Sequence, residues 1–116
     1  MFTFKASPVS GEGRGAKLGF PTINLDHSGL EYEFGVYLGE ATFGGEKHSC
    51  LIHFGPKKTF SNKISLELYI EKKVDFNNKE KIEVKIIQRI REIKKFKTEE
   101  ELKKQIERDK KILKGK

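Results

Sequence analysis

The chain has 116 residues, 35% of them charged, and a formal net charge of +7. This length predicts one domain spanning residues 1–116, and the single cysteine, Cys50, excludes a disulfide framework and a cysteine-ligated zinc site. No stretch approaches the length of a membrane span or has the pattern of a leader peptide, so we expect a cytoplasmic protein without a membrane partner.

The positive charge comes from lysines that are concentrated in the last third of the chain. Such an excess of positive charge is typical of a solvated surface, and it indicates a soluble protein more directly than it indicates a binding partner. The strand faces carry no Phe or Tyr platform interleaved with Lys and Arg, the pattern of single-strand binders. A nucleic-acid partner is therefore not expected.

The first element is a strand predicted by the alternation of apolar and polar residues over 1–6, and Ser7 and Pro8 end it. The glycine-rich stretch that runs from residue 11 to residue 25, GEGRGAKLGFPTINL, follows. We take this stretch as the centre of the candidate site.

Glycine adopts positive φ and lets backbone N–H groups approach a ligand closely. Gly13 and Gly15 are therefore suited to a flap over phosphate oxygens, and Arg14 and Lys17 add positive charge there. The alternative interpretation of these residues is a flexible connector.

Pro21 suits the first residue of a strand, because it fixes φ and cannot donate a ladder hydrogen bond. If residues 22–25 are extended, Thr22 and Asn24 share one face while Ile23 and Leu25 point to the core. The two polar side chains offer neutral oxygen ligands of the kind that suit Mg²⁺ when a nucleotide balances its charge. The alternative for both residues is a strand-entry turn, where Thr and Asn are also frequent.

Two other phosphate motifs are excluded. Residues 11–16 match the G-x-G-x-x-G/A pattern by letter, but that pattern requires a helix directly after it, and Pro21 with a strand follows instead. The chain has no G-x-x-x-x-G-K-[ST] sequence, which excludes a Walker loop.

Further strands are predicted by alternation and turn signals in residues 35–43, 47–54, 64–70 and 81–90. The strand 64–70 has the clearest alternation, and it presents Glu67 on the face opposite to its isoleucines and leucines. Together with the strands at 1–6 and 22–25 this makes six strands with short connections. The sequence predicts a mainly β fold, a six-stranded closed antiparallel barrel over about residues 1–93.

A C-terminal helix is predicted over about residues 98–114. Thr98 and Glu101 form a capping box at its start, and Gly115 ends it. An amphipathic stripe with helical spacing indicates that the helix packs on the barrel, and it consists of Leu102, Ile106, Asp109 and Leu113.

The stretch GRGAKLGFPTINL resembles the signature of the ATP-dependent riboflavin kinase (flavokinase) family, roughly G-x-G-R-G-x-x-L-G-F-P-T-x-N-L. Further matches follow in family order over nearly the whole chain, at Gly35-Val36-Tyr37, Gly55, Thr59-Phe60, Glu67, Arg91, Lys95-Phe96, Gln105-Ile106 and Asp109. The resemblance implies a Greek-key barrel with a C-terminal helix, like the kinase module that many bacteria fuse to an FAD-forming adenylyltransferase.

The resemblance also implies roles for individual residues. Glu67 matches the catalytic base that takes a proton from the ribityl 5′-hydroxyl, although a strand glutamate on its own is more often a solvated edge residue. Thr22 and Asn24 match the metal and phosphate ligands, and Arg91 matches an arginine near the flavin ring. The nucleotide flap corresponds to Gly13, Arg14, Gly15 and Lys17.

The chain departs from the family pattern at several places, and His53 and Phe54 stand where an asparagine and an aliphatic residue are common. Lys58 replaces a proline, the Tyr-Gly pair before the last strand is absent from residues 75–79, and the glutamate after Arg91 is shifted by one position or lost at Glu92-Ile93. These departures concern the flavin contacts and leave the nucleotide half intact. His27, His48 and His53 are not spaced as metal ligands. Tyr69, on the same face as Glu67, is expected to serve core or rim packing, and the alternative is that it shapes the pocket.

The resemblance thus implies a monomeric riboflavin kinase that uses ATP and Mg²⁺, or another divalent cation, to convert riboflavin to FMN. The sequence leaves the nucleotide donor and the metal open. Two alternatives stay open as well: a small barrel that binds flavin without turnover, and a basic barrel that binds nucleic acid.

Overall fold

The structure is a computed structural model that describes residues 2–9, 22–56, 63–70, 80–93 and 98–114, apart from the side chains at positions 99, 102, 106, 110 and 114 of the helix. Its described residues form seven strands and one helix. They are β1 (Phe2–Ala6), β2 (Pro8–Val9), β3 (Thr22–Leu25), β4 (Gly35–Phe43), β5 (Glu46–Pro56), β6 (Ile64–Ile70), β7 (Ile82–Arg91) and α1 (Glu99–Lys114).

All seven strands belong to one antiparallel sheet in the order β1-β7-β4-β5-β6-β3-β2. The two ends of this order are neighbours in the chain, separated only by Ser7. Segment 2–9 therefore pairs with β7 through its first half and with β3 through its second half. The backbone N–H of Asp26 donates to the carbonyl of Ser7 (2.8 Å) at the point of change.

The prediction of a mainly β, barrel-like antiparallel sheet with a C-terminal helix is confirmed. The described sheet has seven strands rather than six, because the first segment is divided at Ser7 before Pro8. Proline has no N–H to donate to a ladder, so a change of partner at this position costs no hydrogen bond there.

One face of the sheet encloses the main core. In β6 the predicted alternation holds: Leu66, Leu68 and Ile70 are buried in this core, and Glu67 between them is half-buried on the other face. The core is completed by residues such as Ile52 and Ile82, both fully buried. We call the opposite, outward side of the sheet the outer face.

The alternation of inward and outward side chains in β7 is interrupted where the strand pairs with β4. The register shifts between Val36 and Tyr37 and again between Leu38 and Gly39, so two residues of β7 have no direct partner on β4. Gln88 is exposed as a result, although strict alternation after Ile86 would turn it inward. A bulge inserts one residue and thereby reverses the faces beyond it.

Helix α1 begins as predicted, since the backbone N–H of Glu101 donates to Oγ1 of Thr98 (3.2 Å). It packs against β5, and Leu113 joins Leu38, Leu51 and Tyr69 in a second apolar cluster on the outer face. The side chains of Leu102 and Ile106, two members of the predicted stripe, lie outside the described residues. In the described part of the chain, no helix is both long and apolar enough to cross a membrane.

Candidate active site

Strand β3 places the predicted metal ligands Thr22 and Asn24 on the outer face. Both side chains are half-buried, whereas the alternate residues Ile23 and Leu25 are 5% and 2% exposed in the core. The alternation proposed from the sequence thus leaves one hydroxyl and one amide oxygen on the same accessible surface.

Strand β6 brings the predicted base next to these ligands. In the β3–β6 ladder Asn24 is directly opposite Glu67, and Thr22 is directly opposite Tyr69. Opposite residues of an antiparallel pair have Cβ atoms roughly 4.5–5.5 Å apart and point to the same face. Asn24, a predicted metal ligand, and the carboxylate-bearing Glu67 are therefore immediate neighbours, although they are 43 positions apart in the sequence.

The row of opposite residues continues across the sheet. Glu67 is also opposite His53 of β5, His53 is opposite Val36 of β4, and Val36 is opposite Arg91 of β7. Asn24, Glu67 and Arg91, three residues singled out in the sequence, therefore belong to one cross-strand row. The full row is Asn24, Glu67, His53, Val36 and Arg91. With strands about 4.8 Å apart, the row extends about 19 Å along the sheet.

The middle of this row is covered, while its Asn24 end is more accessible. His53 and Val36 are 3% and 2% exposed, but Asn24 and Glu67 are half-buried. The sequence analysis assigned His53 no role, and only the register of β5 against β6 reveals that it is the direct neighbour of Glu67.

Arg91, at the other end of the row, is held by helix α1. Its Nε and Nη2 donate to Oδ1 and Oδ2 of Asp109 at 3.2 and 2.8 Å, and its Nη1 donates to the carbonyl of Glu92 at 3.0 Å. The side chains of Arg91 and Asp109 are only 15% and 7% exposed. The Nε and Nη2 edge of the guanidinium is thus committed to a bidentate ion pair, and Nη1 also has a backbone acceptor.

Gln105 completes this link between sheet and helix. Its side-chain amide, one turn before Asp109 in α1, donates to Oδ1 of Asp109 at 3.0 Å. Gln105 and Asp109 are among the few buried polar side chains in the described residues. The position of Asp109 on an otherwise apolar helical stripe was the feature of the sequence that indicated a buried, paired carboxylate.

Tyr69 connects Glu67, the predicted base, to the helix. Its ring is 6% exposed, and its hydroxyl is hydrogen-bonded to the Glu67 carboxylate. Burial, and then the negative charges of Glu67 and Asp109, raise the pKa of the Tyr69 phenol well above its usual value, against a smaller opposing effect of Arg91. The raised pKa keeps the Tyr69 hydroxyl protonated, and so able to donate, to higher pH than an ordinary tyrosine.

The predicted flap residues Gly13, Arg14, Gly15 and Lys17 lie outside the described residues, as do Lys58 and positions 75–79. Among the residues that are described, no group of three or more His, Cys, Asp and Glu side chains is arranged to hold a metal ion. Thr22 and Asn24 offer neutral oxygens, which suit a hard divalent cation that takes its remaining ligands from phosphates and water. The donor chemistry of this pair fits the implied ion.

A separate cavity of about 370 Å³ opens near the bulged part of β7. Tyr32, Tyr37 and Arg89 are among its lining residues, and the Arg89 guanidinium is 3.2 Å from the Glu33 carboxylate at its rim. Of the predicted site residues that the structure describes, none lines this cavity. The candidate site is the outer-face row and not this opening.

Comparison with known proteins gives one family and a structural relative. The family model described as "Flavokinase: Riboflavin kinase" matches residues 1–115. A crystal structure of a macrolide-efflux protein from Streptococcus pneumoniae has a TM-score of 0.81 and 26% sequence identity, and the match covers 97% of this chain and 38% of that one. No curated protein matches the chain.

Proposed function

Because this chain belongs to the riboflavin kinase family, we propose that it transfers the γ-phosphoryl group of a nucleoside triphosphate to the 5′-hydroxyl of riboflavin and so forms FMN. ATP is the proposed donor. We further propose that the protein acts in the cytoplasm as a monomer.

The observation that supports this proposal most is the pairing of Asn24 with Glu67. Phosphoryl transfer requires stabilisation of the phosphate charge next to a group that can accept the proton of the attacking hydroxyl. The β3–β6 register brings candidates for both tasks within one cross-strand distance of each other, on a face where both are accessible.

In the proposed reaction a carboxylate oxygen of Glu67 accepts the proton of the riboflavin 5′-hydroxyl. The hydroxyl oxygen forms a bond to the γ-phosphorus as the bond between that phosphorus and the bridging oxygen of the nucleotide breaks. The nucleoside diphosphate leaves with the bonding electrons. A base on a rigid strand keeps its geometry relative to the ligands on β3, and this favours a step that depends on alignment.

Thr22 and Asn24 would hold the divalent cation, proposed to be Mg²⁺. When it is bound, the cation neutralises charge on the nucleotide phosphates. Gly13, Arg14, Gly15 and Lys17 are proposed to close over the same phosphates. Arg91 is proposed to contact the flavin ring through its planar face, while Asp109 fixes its orientation.

The direct test is to incubate the purified protein with riboflavin, Mg²⁺ and one nucleotide at a time, ATP, CTP or GTP, and to separate FMN from riboflavin by chromatography. We expect FMN with ATP. Formation of FMN with CTP or GTP but not with ATP would support the kinase reaction and identify a different phosphoryl donor. Tight riboflavin binding without FMN from any nucleotide would contradict the kinase assignment and favour a flavin-binding module.

Asn24→Ala is expected to raise the Mg²⁺ concentration needed for half-maximal activity roughly 10-fold or more, since even groups that only support metal ligands change affinity by about that factor. The measurement is a titration of FMN formation with Mg²⁺ at saturating nucleotide. Ser49→Ala is the matched control, because Ser49 is a half-buried polar residue of β5 outside the cross-strand row. An unchanged Mg²⁺ requirement in Asn24→Ala would remove Asn24 from the metal site.

A further inference from the structure

Tyr69 is fixed in place far more firmly than a residue that only lines a pocket. Its ring is packed in the outer-face cluster with Leu38, Leu51 and Leu113, and Ile90 lies against the same cluster. Leu113 belongs to α1, so the helix contributes directly to the position of the ring. Tyrosine buries a large apolar surface and keeps a polar tip that needs a partner when it is buried.

That partner is Glu67. The two residues are separated by one position on β6 and therefore share the outer face, and the Tyr69 hydroxyl is hydrogen-bonded to the Glu67 carboxylate. A carboxylate has no proton to give, so the tyrosine donates this bond. Bonds to a charged acceptor are about twice as strong as neutral ones, which makes this a stable way to hold a side chain.

A glutamate otherwise has several rotatable bonds and samples many orientations from a strand surface, and restricting this freedom costs conformational entropy. For a general base this freedom matters, because proton transfer requires hydrogen-bond distance to one particular hydroxyl. The Tyr69 hydroxyl, whose ring is held in the outer-face cluster, restricts the orientation of the Glu67 carboxylate before the substrate binds.

We propose that Tyr69 is a positioning residue, whose hydroxyl holds the Glu67 carboxylate in the orientation needed to accept the substrate proton, and that α1 sets this orientation through the packing of the Tyr69 ring. The inference rests on the proposed function. It assigns to the C-terminal helix a role in catalysis that α1 exerts without contacting the reacting atoms.

The link between sheet and helix supports this arrangement. Asp109 of α1 forms its bidentate ion pair with Arg91 of β7, which keeps the helix docked on the outer face. Both Asp109 and Arg91 are close enough to Tyr69 to act on its hydroxyl electrostatically. Glu67, the Tyr69 hydroxyl and the Arg91–Asp109 pair therefore lie near one another, joined by one hydrogen bond and by electrostatic interactions.

The first test is Tyr69→Phe, which removes one hydroxyl and keeps the ring in its cluster. We expect kcat to fall about 10-fold to 100-fold, as a misplacement of about 1 Å is sufficient for such a loss, while KM for riboflavin and for ATP stays within about 2-fold. Tyr37→Phe is the matched control, since its hydroxyl donates to the backbone carbonyl of Glu33 inside the barrel, away from Glu67. An unchanged kcat in Tyr69→Phe, or the same loss in Tyr37→Phe, would overturn the inference.

The second test does not need activity. The urea midpoints of Tyr69→Phe, Glu67→Ala and the double variant form a double-mutant cycle. If the hydroxyl holds the carboxylate, the midpoint shift of the double variant is smaller than the sum of the single shifts, and additive shifts would overturn the contact. If the wild-type protein forms no FMN, the proposed function and the catalytic role fail together, and the cycle still decides whether Tyr69 holds Glu67.

Discussion

Glu67→Gln is expected to reduce kcat for FMN formation by a factor on the order of 10²–10⁴, the usual contribution of a positioned general base. Glutamine has nearly the shape of glutamate and can still accept the hydrogen bond from Tyr69, but it cannot take up a proton from the riboflavin hydroxyl. The loss should therefore appear in kcat, with KM for both substrates little changed. Steady-state rates of FMN formation at saturating ATP and Mg²⁺ measure it.

Glu83→Gln is the matched control for this substitution. Glu83 is also a strand glutamate, but it is exposed on β7 and lies opposite Lys5 of β1. We expect wild-type kcat in Glu83→Gln, and a single cooperative urea transition in both variants would show that the fold is intact. Wild-type turnover in Glu67→Gln would refute the assignment of the base and leave the family membership untouched.

The parts of the site that depend on local alternation were predictable from the sequence. The period of two in residues 22–25 and 64–70 places Thr22, Asn24 and Glu67 on one side of their strands, and the structure has them there. This works because the side chains of a strand alternate strictly and apolar residues decide which face is inward.

The register between strands was not predictable in the same way. That Asn24 is opposite Glu67, and Glu67 opposite His53, follows from the pairing of β3, β6 and β5, which are separated in sequence by connections of several residues or more. No local pattern fixes such a pairing, because it is decided by the packing of the whole core. The position of His53 next to the predicted base was missed for this reason.

Strand β7 shows a second limit of sequence patterns. Its first half follows the predicted alternation, but the register shift between Leu38 and Gly39 reverses the faces of Gln88 and Arg89, and the shift between Val36 and Tyr37 restores the predicted face at Arg91. Gly39 marks the place, since a Cβ there would be 2.3 Å from the carbonyl oxygen of Lys85. A glycine within a strand signals such a close approach, although it does not give the position of the inserted residue.

The role of Arg91 was predicted from resemblance, and its principal partner was not. The resemblance predicts that Arg91 lies near the flavin ring, and that role stays a prediction. Its bidentate partner Asp109 is 18 residues later, on a helix whose docking could be predicted only as an apolar stripe. Fixing a guanidinium from one edge also prepares its planar face for a ring, so the ion pair and the proposed stacking are compatible.

Asp109→Asn is expected to lower the free energy of unfolding by about 3 kcal/mol, because removing one partner of a buried ion pair leaves the other charge uncompensated. The amide that replaces the carboxylate would keep one oxygen for Arg91, but the charge of the guanidinium, in a side chain only 15% exposed, would be unbalanced. Urea unfolding followed by circular dichroism measures the change. A loss below about 1 kcal/mol would mean that solvent compensates Arg91 and that the pair does not anchor α1.

Two further variants separate the buried pair from helix charge in general. Glu100→Gln removes the partner of Lys104 in an exposed ion pair of the same helix (3.7 Å), and we expect a change below about 0.5 kcal/mol. The double variant Arg91→Met, Asp109→Leu replaces both buried charges with apolar groups of similar volume, and it should be more stable than Asp109→Asn. If the double variant is the less stable of the two, α1 is held by the geometry of the bidentate pair itself, and the positioning of Tyr69 would depend on that geometry as well.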